Sequence, residues 1–267
     1  MKIGYLGPKG TYCYEACNEY VQDKNIEKIE YITITEALIS VQKQKIEFAI
    51  VPIENSIYGS VLETIDFLIE SCELKINAEI ILNINHYLLA PNNCKIQTIK
   101  EIYSHTQALA QCRKYLKKNF PDCIFHEIQS TAAGAKIVKD RKNAACIANK
   151  SCAEIYGLNK LDKDIQDENH NQTRFVVVGR EIKQENQNKI SMIFSTSHKP
   201  GELYRALAIF DILKINLTKI ESRPARTKLG EYVFWVDFEG KITDENVKQL
   251  IKLMENMCSY TQILGCY

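Results

Sequence analysis

The chain has little of what would tie it to a membrane, a metal or an oxidising compartment. No run of apolar residues reaches the roughly 20 needed to cross a bilayer. The opening Met1-Lys2-Ile3-Gly4-Tyr5-Leu6-Gly7-Pro8 lacks the long apolar stretch and the small-residue cleavage site of an export signal. The 10 cysteines include no Cys-x-x-Cys pair, and most, such as Cys13, Cys17 and Cys146, sit inside apolar patterns. They read as reduced, buried thiols and not as disulfides or zinc ligands. Excess charge of one sign is missing too: Lys+Arg 34 against Asp+Glu 33 leaves a net +1, too weak a field to draw in nucleic acid or an anionic membrane. The expectation is a cytoplasmic protein with no metal, no cofactor and no nucleic-acid or membrane partner. Any anion it handles has to be held by local geometry.

What is present is 267 residues, 45% hydrophobic and 25% charged, enough for two domains with good cores. The stretch that organises the chain is Asn171-Gln172-Thr173-Arg174-Phe175-Val176-Val177-Val178-Gly179. It sets a hydroxyl, a guanidinium and a ring at the mouth of a β-branched run, and strand ends are where α/β folds keep their ligands. Upstream, the same joint recurs, with a strand leading through hydroxyl or amide residues into a helix start. Lys2–Leu6 runs through a Gly-Pro-Lys-Gly turn into a helix from Thr11 to about Gln22; Glu47–Val51 runs through Glu54, Asn55 and Ser56 into a helix capped by Ser60 and Glu63. Ala78–Ala90 reads as strands crossing into a second lobe, with His86 as a core or edge histidine. There Ile99–Tyr103 leads through Ser104-His105-Thr106-Gln107 into a helix to Lys118, and Phe125–Ile128 leads through Ser130 and Thr131 into another to Lys139. Gln107 can be either the end of a Ser-x-x-Gln capping box or a substrate contact. Ala144–Ala148 reads as a buried strand and Ser151–Tyr156 as a helix closed by Gly157. Helix starts of this kind offer free N–H groups, so several facing one crevice would suit a small carboxylate-bearing molecule.

Residues 180–189 are polar and mark the domain boundary, giving 1–180, with a second lobe at roughly 79–160, followed by 190–267. Beyond it the pattern is strand Ile190–Ser195, helix Gly201–Lys214, strands Asn216–Ser222 and Glu231–Phe238, helix Thr243–Met257 and strand Gln262–Cys266. This βαββαβ order is ferredoxin-like. Pro224 after an alternating run suits an edge strand, and an exposed edge can pair with a second subunit.

With these residues in view, the whole chain resembles the prephenate dehydratases, a catalytic domain followed by a regulatory ACT domain. Gly7-Pro8-Lys9-Gly10-Thr11 is similar to the family's GPxGT motif, Val51-Pro52-Ile53-Glu54-Asn55-Ser56 to VPIENS, Ser104-His105-Thr106-Gln107-Ala108-Leu109 to SHPQAL, and Ser130-Thr131-Ala132 to its STA segment. Asp167, Asn171 and Thr173-Arg174-Phe175 resemble DxxxNxTRF. In the second domain Gly201 with Leu203 resembles GAL, and Glu221-Ser222-Arg223-Pro224 resembles ESRP. Thr106, Cys13 and Glu202 depart from the family pattern, and Glu202 adds a charge beside the effector site. The resemblance implies an α/β fold with a two-lobed catalytic domain like the type II periplasmic binding proteins, and ACT domains pairing into a homodimer or homotetramer. It implies decarboxylating dehydration of prephenate to phenylpyruvate, or of arogenate on the same fold, with phenylalanine as feedback inhibitor. A non-catalytic amino-acid-sensing or ligand-binding protein is the reading from another class.

The site expected on this basis has Thr173, Asn55 and Gln107 as catalytic residues. Thr11, Ser56, Ser104, Ser130, Thr131, Arg174 and Phe175 bind substrate. Thr173 would donate to the leaving hydroxyl or position its acid. Arg174 would clamp a carboxylate with its planar fork, or else pair with Asp167 or Glu54. Glu54 and His105 are the conventional acids by residue type and stand as second choices. Phenylalanine would lie around Gly201, Leu203, Asn216, Leu217, Glu221, Ser222, Arg223 and Pro224.

Overall fold

A computed structural model describes residues 1–21, 26–71, 73–181, 187–226, 228 and 230–267. The expected helix end at Gln22, Cys72 and linker residues 182–186 lie outside the described residues. From the amino terminus, β1 (Lys2–Leu6), α1 (Tyr12–Tyr20), β2 (Glu27–Tyr31), α2 (Ile34–Gln42), β3 (Phe48–Asn55), the short β4 (Gly59–Ser60) and α3 (Leu62–Glu70) follow one another. Next come β5 (Lys75–Asn83), β6 (Tyr87–Ala90), β7 (Glu101–Ser104), α4 (Thr106–Gln111), α5 (Arg113–Asn119), β8 (Ile124–Glu127) and α6 (Thr131–Val138). The chain continues through β9 (Ala144–Ala148), α7 (Lys150–Tyr156), β10 (Asn159–Asp162) and β11 (Gln172–Gly179). It ends with β12 (Lys189–Ser195), α8 (Glu202–Ile212), β13 (Leu217–Pro224), β14 (Tyr232–Glu239), α9 (Glu245–Met257) and β15 (Tyr260–Cys266).

Contacts group the described residues into two compact units, the first made of 1–37, 50–61 and 80–175, the second of 38–49, 62–79 and 176–267. In the first, β1 pairs in parallel with β2, Lys2 opposite Glu27 through Leu6 opposite Tyr31. β3 follows β1 in strand order, and β11 follows β3. A separate sheet of five strands runs β10, β6, β9, β7, β8. Every residue of β9 is buried because helices cover both faces. Ala145 and Ile147 face Ala108, Cys112 and Leu116, whereas Ala144, Cys146 and Ala148 face Ala132, Ala135 and Val138. The long apolar run is therefore two strands, β5 and β6, separated by Ile84-Asn85-His86.

The expected helix from Gln107 to Lys118 is interrupted at Cys112, and the cause is visible. The carbonyl of Gln111 accepts from Asp167 N at 2.6 Å, and Lys114 N donates to both Asp167 carboxylate oxygens at 3.1 Å. One loop residue so takes both a helix acceptor and a helix donor, which breaks the ladder at that turn. Ser60 pairs with Glu54 as part of β4, and α3 begins two residues later at Leu62.

In the second unit β12, α8, β13, β14, α9 and β15 follow in the expected βαββαβ order, with strand order β13, β14, β12, β15. Ile190, Met192, Phe194, Val236 and Phe238 bury against Ala206, Phe210, Val247, Leu250 and Met254 of the two helices. β15 meets β5 at Gly265 opposite Ile76, where a Cβ would stand 2.2 Å from the Ile76 carbonyl oxygen, so only glycine allows the approach. β13 alternates between half-buried and exposed along its whole length and ends the strand order, with Pro224 as its last residue. No helix among the described residues is long and apolar enough to cross a membrane.

Candidate active site

A cavity of about 460 Å³ in the first unit is lined by Thr11, Tyr12, Asn55, Tyr58, His86, His105, Gln107, Gln111, Gln129, Ser130, Thr131 and Thr173, with Leu6, Pro52, Gly59, Ser60, Val61, Ile84 and Ala108. That volume suits a small-molecule ligand. Among the described residues, the lining includes no Lys, Arg, Asp or Glu. Its polar surface is made of amides, hydroxyls and two imidazoles.

Thr173 and Asn55, adjacent to this cavity although 118 positions apart, form one hydrogen-bonded unit. The Asn55 amide nitrogen donates to Thr173 Oγ1 at 2.9 Å, to Asn171 Oδ1 at 2.8 Å and to the Gln172 carbonyl at 3.1 Å. Its oxygen accepts from Ile57 N and Tyr58 N, each at 3.0 Å. Because Thr173 Oγ1 receives a proton from Asn55, its own O–H has to point elsewhere. Among the described residues it has no protein acceptor.

Three helix starts border the cavity. Thr11 caps α1, accepting from Tyr14 N, but its hydroxyl donates to Leu6 O at 2.8 Å, so it has no proton to spare for a ligand. Ser130 caps α6, accepting from Ala133 N at 3.1 Å, and Thr131 follows it on the cavity wall. α4 is capped by His105, whose Nδ1 accepts from Gln107 N at 3.2 Å. The Ser-x-x-Gln pattern names Ser104 for that task, but Ser104 is fully buried and donates to the Ile147 carbonyl at 2.7 Å in the neighbouring strand. It does not line the cavity. The Gln107 side chain, relieved of capping, does.

Other expected substrate contacts are also engaged elsewhere. Ser56 donates to His170 O at 3.1 Å and accepts from Gln172 N at 2.9 Å, sewing its loop to the start of β11. Arg174 is nearly buried and pairs with Glu54, Nε to Oε2 at 3.6 Å; of its two expected readings, the structure shows the ion pair. Phe175 is buried in the core. None of the three lines the cavity. For Arg174 the β-strand alternation explains this, since Thr173 and Arg174 point to opposite faces.

Sequence reasoning passed over Gln111 and gave His86 only a core or edge role. Gln111 lies one helical turn after Gln107, and that spacing of four was the available signal. His86 is 2% exposed, and its Nε2 lies 2.6 Å from Gln111 Oε1. Burial lowers its pKa, so the ring is neutral near pH 7.

In the second unit, Gly201 and Leu203 line a pocket of about 290 Å³ together with Thr196, His198, Gly230, Tyr232 and Phe234. Gly201 caps α8 with φ +83°, a conformation that favours glycine. Glu202 is paired with Arg205 at 2.5 Å. Leu217, Glu221, Ser222, Arg223 and Pro224 lie on β13, with Asn216 just before it, and none of these lines the pocket.

The family model for prephenate dehydratase matches residues 3–183. The chain is 38% identical to the prephenate dehydratase of Methanocaldococcus jannaschii, covering 98% of this chain and 96% of that protein. It is 37% identical to a bifunctional chorismate mutase/prephenate dehydratase of Aquifex aeolicus, covering all of this chain and 73% of that one. The structure of prephenate dehydratase from Arthrobacter aurescens in complex with L-Phe superposes with a TM-score of 0.91 at 31% identity, over all of this chain and 89% of the other. The chain therefore belongs to the prephenate dehydratase family and is a lyase.

Proposed function

We propose that the cavity holds prephenate and that Thr173, set by Asn55, helps the ring hydroxyl depart. The carrying observation is the 2.9 Å bond from the Asn55 amide to Thr173 Oγ1, which leaves the threonine proton free. Loss of the ring carboxylate as carbon dioxide leaves its electron pair to expel the 4-hydroxyl, which takes a proton of solvent origin to become water, and the ring becomes aromatic, so the driving force sits in the substrate. The enzyme has to hold geometry and stabilise charge on the departing oxygen. A threonine is too weak an acid to supply a whole proton unaided near neutral pH, so its role is orientation and hydrogen bonding. Gln107, Gln111, Ser130 and Thr131 provide further neutral donors. A strong cation on the departing carboxylate would stabilise the ground state and slow its loss, which accounts for an uncharged wall.

The regulatory reading is that residues 190–267 act as an ACT domain and that phenylalanine binds at the Gly201–Leu203 pocket, with β13 of a second subunit completing the site. The exposed edge of β13 and the pocket supply the two halves of such an interface, in a homodimer or homotetramer of a cytoplasmic enzyme. The relative from Arthrobacter aurescens, solved with L-Phe, supports the same reading. Prephenate is proposed over arogenate as substrate, since among the described residues no acidic side chain lines the cavity to receive an ammonium group. The test is ultraviolet detection of phenylpyruvate formed from prephenate, and of phenylalanine formed from arogenate, with and without added phenylalanine. Turnover of prephenate that added phenylalanine suppresses is the expected result. A Thr173→Ala variant with unchanged kcat would remove that residue from the mechanism.

A further inference from the structure

We infer that His86 is a positioning residue for the reaction, acting through Gln111: its Nε2–H holds the Gln111 carbonyl oxygen and so turns the Gln111 NH2 toward the cavity as a donor. The inference rests on the reading of the cavity as the substrate site.

His86 is 2% exposed and lies in the connection between β5 and β6. Its backbone is fixed on both sides, with N donating to Gln166 Oε1 at 2.9 Å and O accepting from Ile165 N at 3.1 Å. The Tyr12 ring meets the imidazole edge-on at 6.3 Å between centroids. Burial keeps the ring neutral, so it carries a single N–H. Nε2 is 2.6 Å from Gln111 Oε1, while the buried Nδ1 has no partner among the described residues. If the proton were on Nδ1, two lone pairs would face each other at 2.6 Å. Turning the Gln111 amide over would relieve that clash, but would strand a buried N–H donor at Nδ1, the rarer and costlier kind of orphan. With the proton on Nε2 only an acceptor is left unpaired. That arrangement fixes which end of the Gln111 amide faces His86, and therefore which end is left for the cavity. The Gln111 NH2 has no protein acceptor among the described residues.

The backbone beneath Gln111 is held independently. Asp167 N binds the Gln111 carbonyl, and the Asp167 carboxylate takes Lys114 N, at the break in the helix. The Gln111 main chain is thus anchored by the loop before β11 and its side chain by His86. Both grips hold an amide against a cavity wall that presents hydrogen bonds and no charge.

The test is a double-mutant cycle in the full chain, with His86→Phe, which keeps the ring volume and removes the donor, and Gln111→Leu. His86→Gln serves as rescue, since its amide nitrogen can reach the place of Nε2. The expected result is that His86→Phe lowers kcat at least tenfold with KM changed less than threefold, that His86→Gln recovers kcat to within about threefold, and that His86→Phe has no further effect once Gln111 is leucine. A merely structural histidine would instead give effects that multiply in the double variant, and that outcome overturns the inference. So does a His86→Phe enzyme with wild-type kcat. A Gln111→Leu enzyme with full activity would defeat the reading of the cavity donors themselves, which separates the two failures. If His86→Phe does not fold, long-range proton–nitrogen correlation of the imidazoles in the unaltered protein decides: His86 has to be the Nε2–H tautomer at pH 7, and an Nδ1–H tautomer or a cation overturns the proposal.

Discussion

Replacing Asn55 by aspartate is the sharpest probe of the site, because it changes one NH2 into an oxygen with almost no change in volume. The Asn55 oxygen keeps its bonds from Ile57 N and Tyr58 N. The NH2 contacts to Asn171 Oδ1, Gln172 O and Thr173 Oγ1, served by two protons, are lost. At about 0.5–1.5 kcal/mol net per proton, the lost bonds amount to about 1–3 kcal/mol. The loss falls toward the lower end because the Asn171 amide, whose nitrogen has no partner among the described residues, can turn and donate to the new carboxylate. Against the roughly 5–15 kcal/mol of an ordinary domain, the variant stays folded. The catalytic effect is larger. An aspartate oxygen beside Thr173 Oγ1 accepts the threonine proton, so the hydroxyl turns its lone pairs to the cavity and no longer donates there. Removing one preorganised donor of this kind costs about 100- to 1,000-fold in kcat, or about 2.7–4 kcal/mol. The assay is phenylpyruvate formation from prephenate over a range of substrate concentrations, alongside a thermal melt. Asn55→Asp should lose at least about 100-fold in kcat while KM moves less than about fivefold. A folded variant retaining kcat within threefold of the unaltered enzyme would refute the idea that Asn55 acts by aiming Thr173.

Three further outcomes follow from the geometry. Arg174→Lys should leave KM within about threefold, because Arg174 pairs with Glu54 and does not line the cavity; a sharp rise in KM would restore the carboxylate clamp. Asp66 takes Arg223 in two bonds, at 2.6 and 2.9 Å, and Arg226 in a third at 3.1 Å, and the Arg223 hydrogen bonds hold its carboxyl below the ordinary 3.8. Its contribution is therefore complete above that ordinary value and disappears as pH falls through the lowered one. Asp66→Asn should lower Tm at pH 7 by about 2–4 °C, as a loss of about 1 kcal/mol implies, and the gap should close in strong acid; a pH-independent gap would refute the ion pair as its source. Burial pushes the thiols of Cys13 and Cys152 up to about 12 and of Cys17 up to about 11, so at pH 8 a thiol reagent should reach the half-exposed Cys94 before any of these, as peptide mass mapping would show. Early labelling of Cys13 in the folded protein would contradict the packing of α1.

The sequence by itself determined the alternation of strands and helices and the βαββαβ order after residue 189, because hydrophobic period and turn residues are local properties; Asn55, Gln107 and Thr173 were singled out by the resemblance of their motifs. It left three short strands unseen, Glu27–Tyr31, Gly59–Ser60 and Asn159–Asp162; the charged residues of the first and last give no alternating apolar signal. The tertiary structure alone decided which polar groups are still free to meet a substrate. Ser56, Ser104 and Thr11 have the right chemistry, but their protons go to His170 O, Ile147 O and Leu6 O. Arg174 turns from the cavity to Glu54, and Gln111 enters the site only because His86 and Asp167 hold it there. A side chain's identity is written in the chain, but whether its hydrogen bonds are already made depends, for Ser104 and Ser56, on groups 43 and 114 positions away.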